Sequence, residues 1–215
     1  MNVCAVVVVG EPVRGGVDTL TLLGGVPVVV RSVRALSDVV GIDHVRLLVP
    51  AAQVARVTEA CMGMPVTLHG SAADLWAHAG QRSGYADGDR QTTDRSVVLV
   101  HDGARPLAPA SLVGSVLDAV RAGHPVVVPV LPLTDTVKQV DGTTLGATPD
   151  RTGLRVVQTP QGFRGDLRPG VWPDPTRAWS TVDGPAHAVP GHPLAFAVQH
   201  PWDLELAGST IGAGG

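Results

Sequence analysis

The sequence predicts an α/β protein built on a mainly parallel β-sheet with helices on both faces. The first observation behind this prediction is a set of short runs that are apolar at nearly every position and rich in valine. Such runs are typical of strands that are buried on both faces. The second observation is that these runs alternate with segments of helical periodicity. This alternation implies right-handed βαβ crossovers between parallel strands.

The predicted strands follow the apolar runs in chain order. Val3–Val9 and Val97–Val100 are apolar throughout, which fits central positions in the sheet. Leu154–Gln158 and Leu194–Val198 are also extended in character but lie outside the regular alternation of strands and helices. The predicted strands are Val3–Val9, Val45–Val49, Val66–Leu68, Val97–Val100, Val126–Val130, Leu154–Gln158 and Leu194–Val198.

The predicted helices have apolar residues at spacings of three and four. The clearest is Pro109–Ala122, because a proline suits its first turn and Gly123 suits its end. The segment Gly80–Arg95 is polar and has no periodicity, which predicts a mobile loop. The other predicted helices are Pro27–Ser37, Ala51–Cys61, Ala72–Ala79 and a final helix that starts over Trp202–Ala207.

The pattern changes after Pro132. Thr136–Val140 and a second extended run that ends at Leu145 flank Asp141-Gly142, which is a strong turn signal and predicts a β-hairpin. We expect a β-arm over about residues 132–160 that protrudes from a single domain of residues 1–215 and packs on another subunit. The alternative is a hairpin on the edge of the same sheet.

Length and composition narrow the class of protein. A chain of 215 residues with 44% hydrophobic residues is long enough to bury a core. The formal net charge of −3 argues against a surface that binds nucleic acid by neutralising phosphates. No apolar run reaches the roughly 20 residues of a membrane span, and two cysteines make no disulfide framework. These features predict a cytoplasmic protein without nucleic-acid or membrane partners.

The candidate site follows the strand Val97–Val100. Asp102 and Arg105 come just after this strand, and ligands of open α/β sheets bind at the carboxyl ends of the strands. A carboxylate at that edge suits Mg²⁺, while an arginine suits either a phosphate or the carboxylate itself. The alternative is that Asp102 only caps the next helix, with Arg105 as its solvated partner.

Four motifs follow one another along the second half of the chain. They are Val-His-Asp-Gly-Ala-Arg-Pro at 100–106, Pro-Leu-Thr-Asp-Thr-Val-Lys at 132–138, Asp-Arg-Thr-Gly-Leu at 150–154 and Gln-Thr-Pro-Gln-Gly-Phe at 158–163. With these motifs the chain resembles the 2-C-methyl-D-erythritol 4-phosphate cytidylyltransferases of actinobacterial type. The resemblance implies a Rossmann-like nucleotidyltransferase fold and a homodimer clasped by the β-arm. It also implies transfer of CMP from CTP to methylerythritol phosphate in the non-mevalonate pathway of isoprenoid biosynthesis.

The resemblance also implies roles for individual residues. Asp102 matches the catalytic aspartate that binds Mg²⁺ beside the CTP phosphates. Thr136, Arg151 and Thr159 match positions that hold methylerythritol phosphate, with Arg151 serving the site of the neighbouring subunit. The substrate-binding residues expected from the resemblance are Gly10, Gly103, Arg105, Thr136, Arg151 and Thr159.

The sequence departs from the family in the loop after the first strand. In the family this loop wraps the triphosphate with backbone N–H groups, and a lysine stabilises the transition state. Here only Gly10 is clearly kept, Glu11 adds negative charge and Pro12 removes an N–H donor. Arg14 is the candidate catalytic cation in place of the lysine. The alternative is that Arg14 is a solvated loop residue.

A second family lysine, on a late strand, corresponds to Ala197, and the single lysine of this chain is Lys138. We therefore favour a family member with impaired or lost catalysis, which acts by binding a phosphate ligand or by pairing with an active subunit. One alternative is a working cytidylyltransferase that uses Arg14. The other is a nucleotidyltransferase of changed substrate specificity.

Overall fold

The computed structural model describes residues 2–11, 14–78, 96–171 and 173–212. The loop predicted at Gly80–Arg95 and the loop residue Pro12 lie outside this part of the chain. The strands are β1 (Val3–Val8), β2 (Leu22–Leu23), β3 (Val26–Pro27), β4 (His44–Leu48), β5 (Val66–His69), β6 (Val97–Asp102), β7 (Val126–Pro132), β8 (Val140–Asp141), β9 (Thr144–Leu145), β10 (Arg155–Val157), β11 (Gln161–Arg164) and β12 (His187–Pro190). The helices are α1 (Val28–Ser37), α2 (Val54–Ala60), α3 (Ala72–His78), α4 (Ala110–Arg121) and α5 (Pro201–Gly212), with 3₁₀ helices at Ala51–Gln53 and Pro175–Thr181.

The described residues form one large sheet in the order β10-β7-β11-β6-β1-β4-β5, with β12 also paired to β7. β6, β1, β4 and β5 are mutually parallel, and β12 is parallel to β7. Among the described strands of this large sheet, only β10 and β11 run in the opposite direction to the others. The sheet is therefore mainly parallel, as the sequence predicts.

Helices cover both faces of the sheet, as predicted. Val33 of α1 and Val116 of α4 are fully buried in one core cluster, on one face. Leu75 of α3 and Ala178 of the second 3₁₀ helix are buried in another cluster, on the opposite face. Because each central strand contributes side chains to both clusters, strands such as β1 are apolar at consecutive positions.

Some predicted elements are wrong in detail. Leu194–Val198 is not a strand, because its backbone makes isolated bonds: Ala195 N–H donates to the His192 carbonyl and Val198 N–H to the Ala104 carbonyl. The sequence pattern does not predict β11 and β12. The arm hairpin is shorter than predicted, with two residues in each strand and Gly142 at its turn with a φ of +57°.

The strand β6 extends two residues further than predicted and thereby positions the candidate site. Asp102 is its last residue and lies beside Val8, the last residue of β1. Gly103 N–H then donates to the Val8 carbonyl at 2.8 Å. A Cβ on Gly103 would lie 2.9 Å from that carbonyl oxygen, so the close approach of the two strand ends requires glycine here.

Candidate active site

A cavity of about 640 Å³ lies at the carboxyl ends of β1 and β6. Its walls come from four separate stretches of the chain, within residues 10–19, 102–105, 173–176 and 197–199. This is the edge at which open α/β sheets bind ligands. The sequence-predicted residues Gly10, Asp102 and Arg105 are brought together in its lining.

Asp102 is nearly buried at the cavity. Its Oδ1 accepts the Ala104 N–H at 2.9 Å, and its Oδ2 lies 3.4 Å from Nε of Arg105. Burial raises the pKa of the Asp102 carboxyl, Arg105 opposes that rise, and the nearby charge of Asp174 adds to it. The site therefore holds a carboxylate for which a cation would be a favourable partner.

Arg105 is held by a backbone carbonyl as well as by Asp102. Its Nη1 donates to the Ala195 carbonyl at 2.5 Å, and the side chain is nearly buried. Burial lowers the pKa of Arg105, against the opposing charge of Asp102. The guanidinium is consequently held in one place, with part of its hydrogen-bonding capacity already used.

A chain of buried hydrogen bonds fixes the end of β6. The Asp102 N–H donates to Thr159 Oγ1 at 3.0 Å, Thr159 Oγ1 lies 3.1 Å from Nδ1 of His101, and Nε2 of His101 lies 3.1 Å from the Arg105 carbonyl. Because a carbonyl only accepts, Nε2 carries the proton of the neutral ring and the Thr159 hydroxyl donates to Nδ1. Burial lowers the pKa of His101 to about 3, so the ring stays neutral at physiological pH.

The neutral His101 makes stability depend on pH. The unfolded chain takes up a proton on His101 below about pH 6.5, whereas the folded protein does so only near pH 3, so stability falls as the pH falls. Between about pH 7.5 and about pH 5, His101 is expected to remove roughly 2 kcal/mol from the free energy of unfolding. Urea unfolding at both pH values should show that, between them, the free energy of unfolding falls by roughly 2 kcal/mol less in His101→Gln than in the wild-type protein. Equal losses in the two proteins would contradict this account of His101.

Three residues that are predicted to bind substrate, Gly10, Gly103 and Thr159, make hydrogen bonds within the protein. The Gly10 carbonyl accepts from Nε2 of Gln53 at 3.0 Å, although Gly10 also lines the cavity. Gly103 is buried, and its carbonyl accepts from Ser32 Oγ at 2.8 Å. Thr159 is fully buried with its hydroxyl bonded on both sides. Substrate contact by Gly103 and Thr159 stays a prediction.

Thr136 and Arg151 lie together at the base of the arm, outside the described lining of the cavity. Thr136 is exposed, and Nη1 of Arg151 donates to the Thr134 carbonyl at 2.9 Å and to the Asp135 carbonyl at 2.5 Å. Arg151 therefore shapes the segment that carries Thr136. The proposed contact of Thr136 with substrate, and that of Arg151 with a substrate in the neighbouring subunit, also stay predictions.

The structure places Arg14 in an exposed turn, and Arg14 is not among the described residues that line the cavity. Asp18, which follows on the same loop, is paired with Arg56 at 3.2 Å. The role of Arg14 as the loop cation stays a prediction.

Sequence reasoning missed four polar residues of the cavity, Thr19, Asp174, Thr176 and Gln199. Asp174 accepts the N–H of Thr176 at 2.9 Å and so caps the second 3₁₀ helix, where Asp-Pro-Thr is a helix-start signal that was available in the sequence. Thr19 is nearly buried in the lining, and its Oγ1 has no hydrogen-bond partner among the described residues. No local pattern marks Thr19, because only the fold brings it to the cavity.

Two kinds of feature are absent from the described residues. Among residues 2–11, 14–78, 96–171 and 173–212, no three His, Cys, Asp or Glu side chains cluster in a way that would hold a metal ion by themselves. Within the same residues, no helix has both the length and the apolar character that a membrane crossing requires.

The fold defines an α/β protein of the nucleotidyltransferase type, with a cavity at the carboxyl ends of the central strands. The family model described as "IspD: 2-C-methyl-D-erythritol 4-phosphate cytidylyltransferase" matches residues 3–212. The chain belongs to this family. The resemblance found in the sequence is thereby confirmed.

Two relatives that carry this family name are similar over most of the chain. The protein of Frankia casuarinae is 39% identical, and the match covers 92% of this chain and 76% of that protein. The protein of Saccharopolyspora erythraea is 35% identical over 98% of this chain and 100% of its own. Both bear the name 2-C-methyl-D-erythritol 4-phosphate cytidylyltransferase.

Solved structures share the fold. The crystal structure of 2-C-methyl-D-erythritol 4-phosphate cytidylyltransferase from Thermus thermophilus matches with a TM-score of 0.72 at 24% identity and covers 99% of this chain and 100% of its own. A structure titled 4-diphosphocytidyl-2C-methyl-D-erythritol synthase matches with a TM-score of 0.76 at 19% identity, over 98% of each chain.

Proposed function

We propose that this chain keeps the fold and the polyol-phosphate half of a cytidylyltransferase but transfers CMP from CTP weakly or not at all. The observation that supports this proposal is the charge of the cavity. The charged residues in its described lining are three carboxylates, Glu11, Asp102 and Asp174, and one guanidinium, Arg105. A triphosphate would therefore meet more negative than positive charge, which opposes its binding.

The one cation in that described lining is partly engaged within the protein, although its Nε has no hydrogen-bond partner among the described residues. Arg105 faces Asp102 through Nε and donates to the Ala195 carbonyl through Nη1. A buried arginine that is paired in this way offers a phosphate less than a free one does, because its desolvation has been offset within the protein. Phosphoryl transfer depends mainly on positioning and on cations that neutralise developing charge.

Mg²⁺ is the cofactor expected from the resemblance, and the residues at the cavity fit it. Asp102 would hold the ion, because both of its oxygens retain lone pairs beyond the contacts with Ala104 and Arg105. When bound, Mg²⁺ supplies positive charge next to the phosphates of a nucleotide. Asp102 orients that charge towards the cavity, while Arg105 limits how far the carboxylate can move.

The absence of two family lysines is a further reason to expect a low catalytic rate. Removing one preorganised charge-stabilising group typically lowers a catalytic rate by about 10²–10³. The resemblance places one family lysine in the loop after β1 and another where Ala197 now lines the cavity. The loss of both supports a strong reduction in turnover, although effects within one site are not additive.

The proposal predicts the outcome of a calorimetric titration. Titrating the purified protein with CTP and Mg²⁺ is expected to give no saturable heat up to about 1 mM CTP, a concentration that corresponds to roughly 4 kcal/mol of binding free energy. Methylerythritol phosphate, by contrast, is expected to bind with a Kd of about 1 mM or lower. Asp102→Asn is the control for any heat that is observed.

Saturable CTP binding that Asp102→Asn abolishes would contradict the proposal that this chain transfers CMP weakly because it binds CTP poorly. It would favour a working cytidylyltransferase that uses Arg14 as the loop cation. Binding of neither CTP nor methylerythritol phosphate would instead favour a changed substrate specificity, to be tested with other polyol phosphates.

We also propose that the β-arm joins two copies of the chain. Val140 and Leu145 are opposite each other in the hairpin and are 62% and 71% exposed, and Leu154 and Val156, further along the predicted arm, are also exposed. An apolar cross-strand pair that is exposed to water would be stabilised by burial against a partner surface. A second copy would also bring its own Arg151 towards the cavity of the first, as the resemblance implies.

Changing Leu145 to aspartate tests the arm. A charge in an apolar contact is costly, so Leu145→Asp is expected to convert a dimer into a monomer in light scattering coupled to size exclusion, at micromolar protein. Val40→Asp is the matched control, because Val40 is 95% exposed and lies outside the arm. A Leu145→Asp protein that stays dimeric would exclude the arm as the contact.

A further inference from the structure

The turn at Gln158–Gln161 joins β10 to β11, and none of its residues is in the described lining of the cavity. Nevertheless Gln158, Thr159 and Gln161 are all buried to 2% exposure or less. Buried polar side chains are costly unless they are hydrogen-bonded. Each of these three is hydrogen-bonded, and each to a different stretch of chain that forms or adjoins the cavity.

Gln158 is bonded to His192 and Ala195, in the segment just before the wall at residues 197–199. Its Oε1 accepts the His192 N–H at 2.9 Å, and its Nε2 lies 3.0 Å from the His192 carbonyl and 3.3 Å from the Ala195 carbonyl. The same Ala195 carbonyl accepts from Nη1 of Arg105. Gln158 therefore fixes the acceptor that sets the position of the cavity's arginine.

Thr159 and Gln161 are bonded to two of the four walls, those at residues 102–105 and 173–176. Thr159 Oγ1 accepts the Asp102 N–H at the end of β6. Nε2 of Gln161 donates to the Thr176 carbonyl at 2.7 Å, and its Oε1 accepts the Trp179 N–H at 2.9 Å. Thr176 lines the cavity and belongs to the 3₁₀ helix that Asp174 caps.

We infer that Gln158, Thr159 and Gln161 are positioning residues that set three of the four cavity walls relative to one another, with Gln158 placing Arg105 through the Ala195 carbonyl. The inference rests on the proposed function only in taking this cavity as the ligand site. If these residues served burial alone, apolar side chains would fill the same space without three sets of hydrogen bonds to satisfy.

The test compares Gln158→Met, which keeps the length of the side chain and removes the amide, with the wild-type protein. The readout is the ¹H–¹⁵N resonance of the Arg105 Nε–H in the protein without ligand. Gln158→Met is expected to shift or broaden this resonance. The matched control is Asp43→Ala, which removes one hydrogen bond, to the Val3 N–H at the amino-terminal end of β1. The control is expected to leave the Arg105 resonance in place.

An Arg105 resonance that moves no further in Gln158→Met than in Asp43→Ala would overturn the inference. If Gln158→Met does not fold, Gln158→Glu gives the same comparison, because a carboxylate keeps the acceptor for His192 N–H and loses the donor for Ala195. Gln161→Met provides a second comparison. It is expected to move the amide resonances of Thr176 and Trp179 and to spare Arg105, and equal shifts of Arg105 in both variants would overturn the assignment of separate walls.

Binding of methylerythritol phosphate is a separate readout. Gln158→Met is expected to weaken it about tenfold, because Arg105 is no longer held at one acceptor. If the wild-type protein does not bind methylerythritol phosphate, the proposed function fails, whereas the Arg105 resonance still decides whether Gln158 is a positioning residue.

Discussion

Replacing Phe163 with alanine is expected to lower the free energy of unfolding by about 3–5 kcal/mol. Phe163 is fully buried on β11 and is the largest of the fully buried side chains in the described part of the chain. It lies opposite Val98 of β6 and Val126 of β7 in the central sheet. Removing its ring leaves a cavity in the middle of one core cluster, and a loss of that size is a large share of the stability of an ordinary domain.

Urea unfolding monitored by circular dichroism checks this expectation. Met62→Ala is the control, because Met62 is 79% exposed and its truncation should change stability by no more than about 0.5 kcal/mol. A loss below about 1 kcal/mol in Phe163→Ala would mean that β11 does not contribute to the core as the structure shows.

Restoring positive charge to the cavity is expected to create binding of CTP with Mg²⁺. The double variant Glu11→Gln, Ala197→Lys removes one carboxylate and adds one ammonium in the lining. We expect an affinity about 10²-fold higher than that of the wild-type protein, or roughly 3 kcal/mol. The physical reason is that a triphosphate then meets balanced rather than excess negative charge.

Calorimetry on the variant and on a neutral counterpart distinguishes charge from bulk. Glu11→Gln, Ala197→Met has a side chain of similar length at position 197 but no charge, and we expect it to resemble the wild-type protein. Equal CTP affinity in the lysine and methionine variants would refute the view that missing cations limit this site.

The sequence predicted the parts of the fold in which local pattern and final environment agree. Val97–Val100 is apolar throughout because β6 is covered on both faces. By contrast, β11 has one large apolar residue, Phe163, and becomes a strand through pairing with β6 on one side and β7 on the other. Gly162 permits this insertion, because a Cβ there would lie 2.6 Å from a methyl group of Val116 on α4.

The same distinction holds for the candidate site. Asp102 and Arg105 were predictable because they follow a recognisable buried strand, and that position in an α/β sheet predicts ligand binding. Thr19 was not predictable, because its place in the cavity depends on contacts between distant parts of the chain. The sequence at Asp174 signals a helix start but does not indicate that this residue lines the cavity. The polar turn Gln158–Gln161 belongs to a recognisable motif, but its bonds to three walls are visible only in three dimensions.

The insertion of β11 between β6 and β7 has a consequence for synthesis on the ribosome. β6 is complete at Asp102, yet the strand that covers its second edge starts only at Gln161. In the interval a nascent chain carries an apolar strand with an open row of backbone donors and acceptors, which is a template for pairing with other chains. Slow passage of the ribosome through the arm would lengthen this exposure, so codon choice between these positions should affect the yield of folded protein.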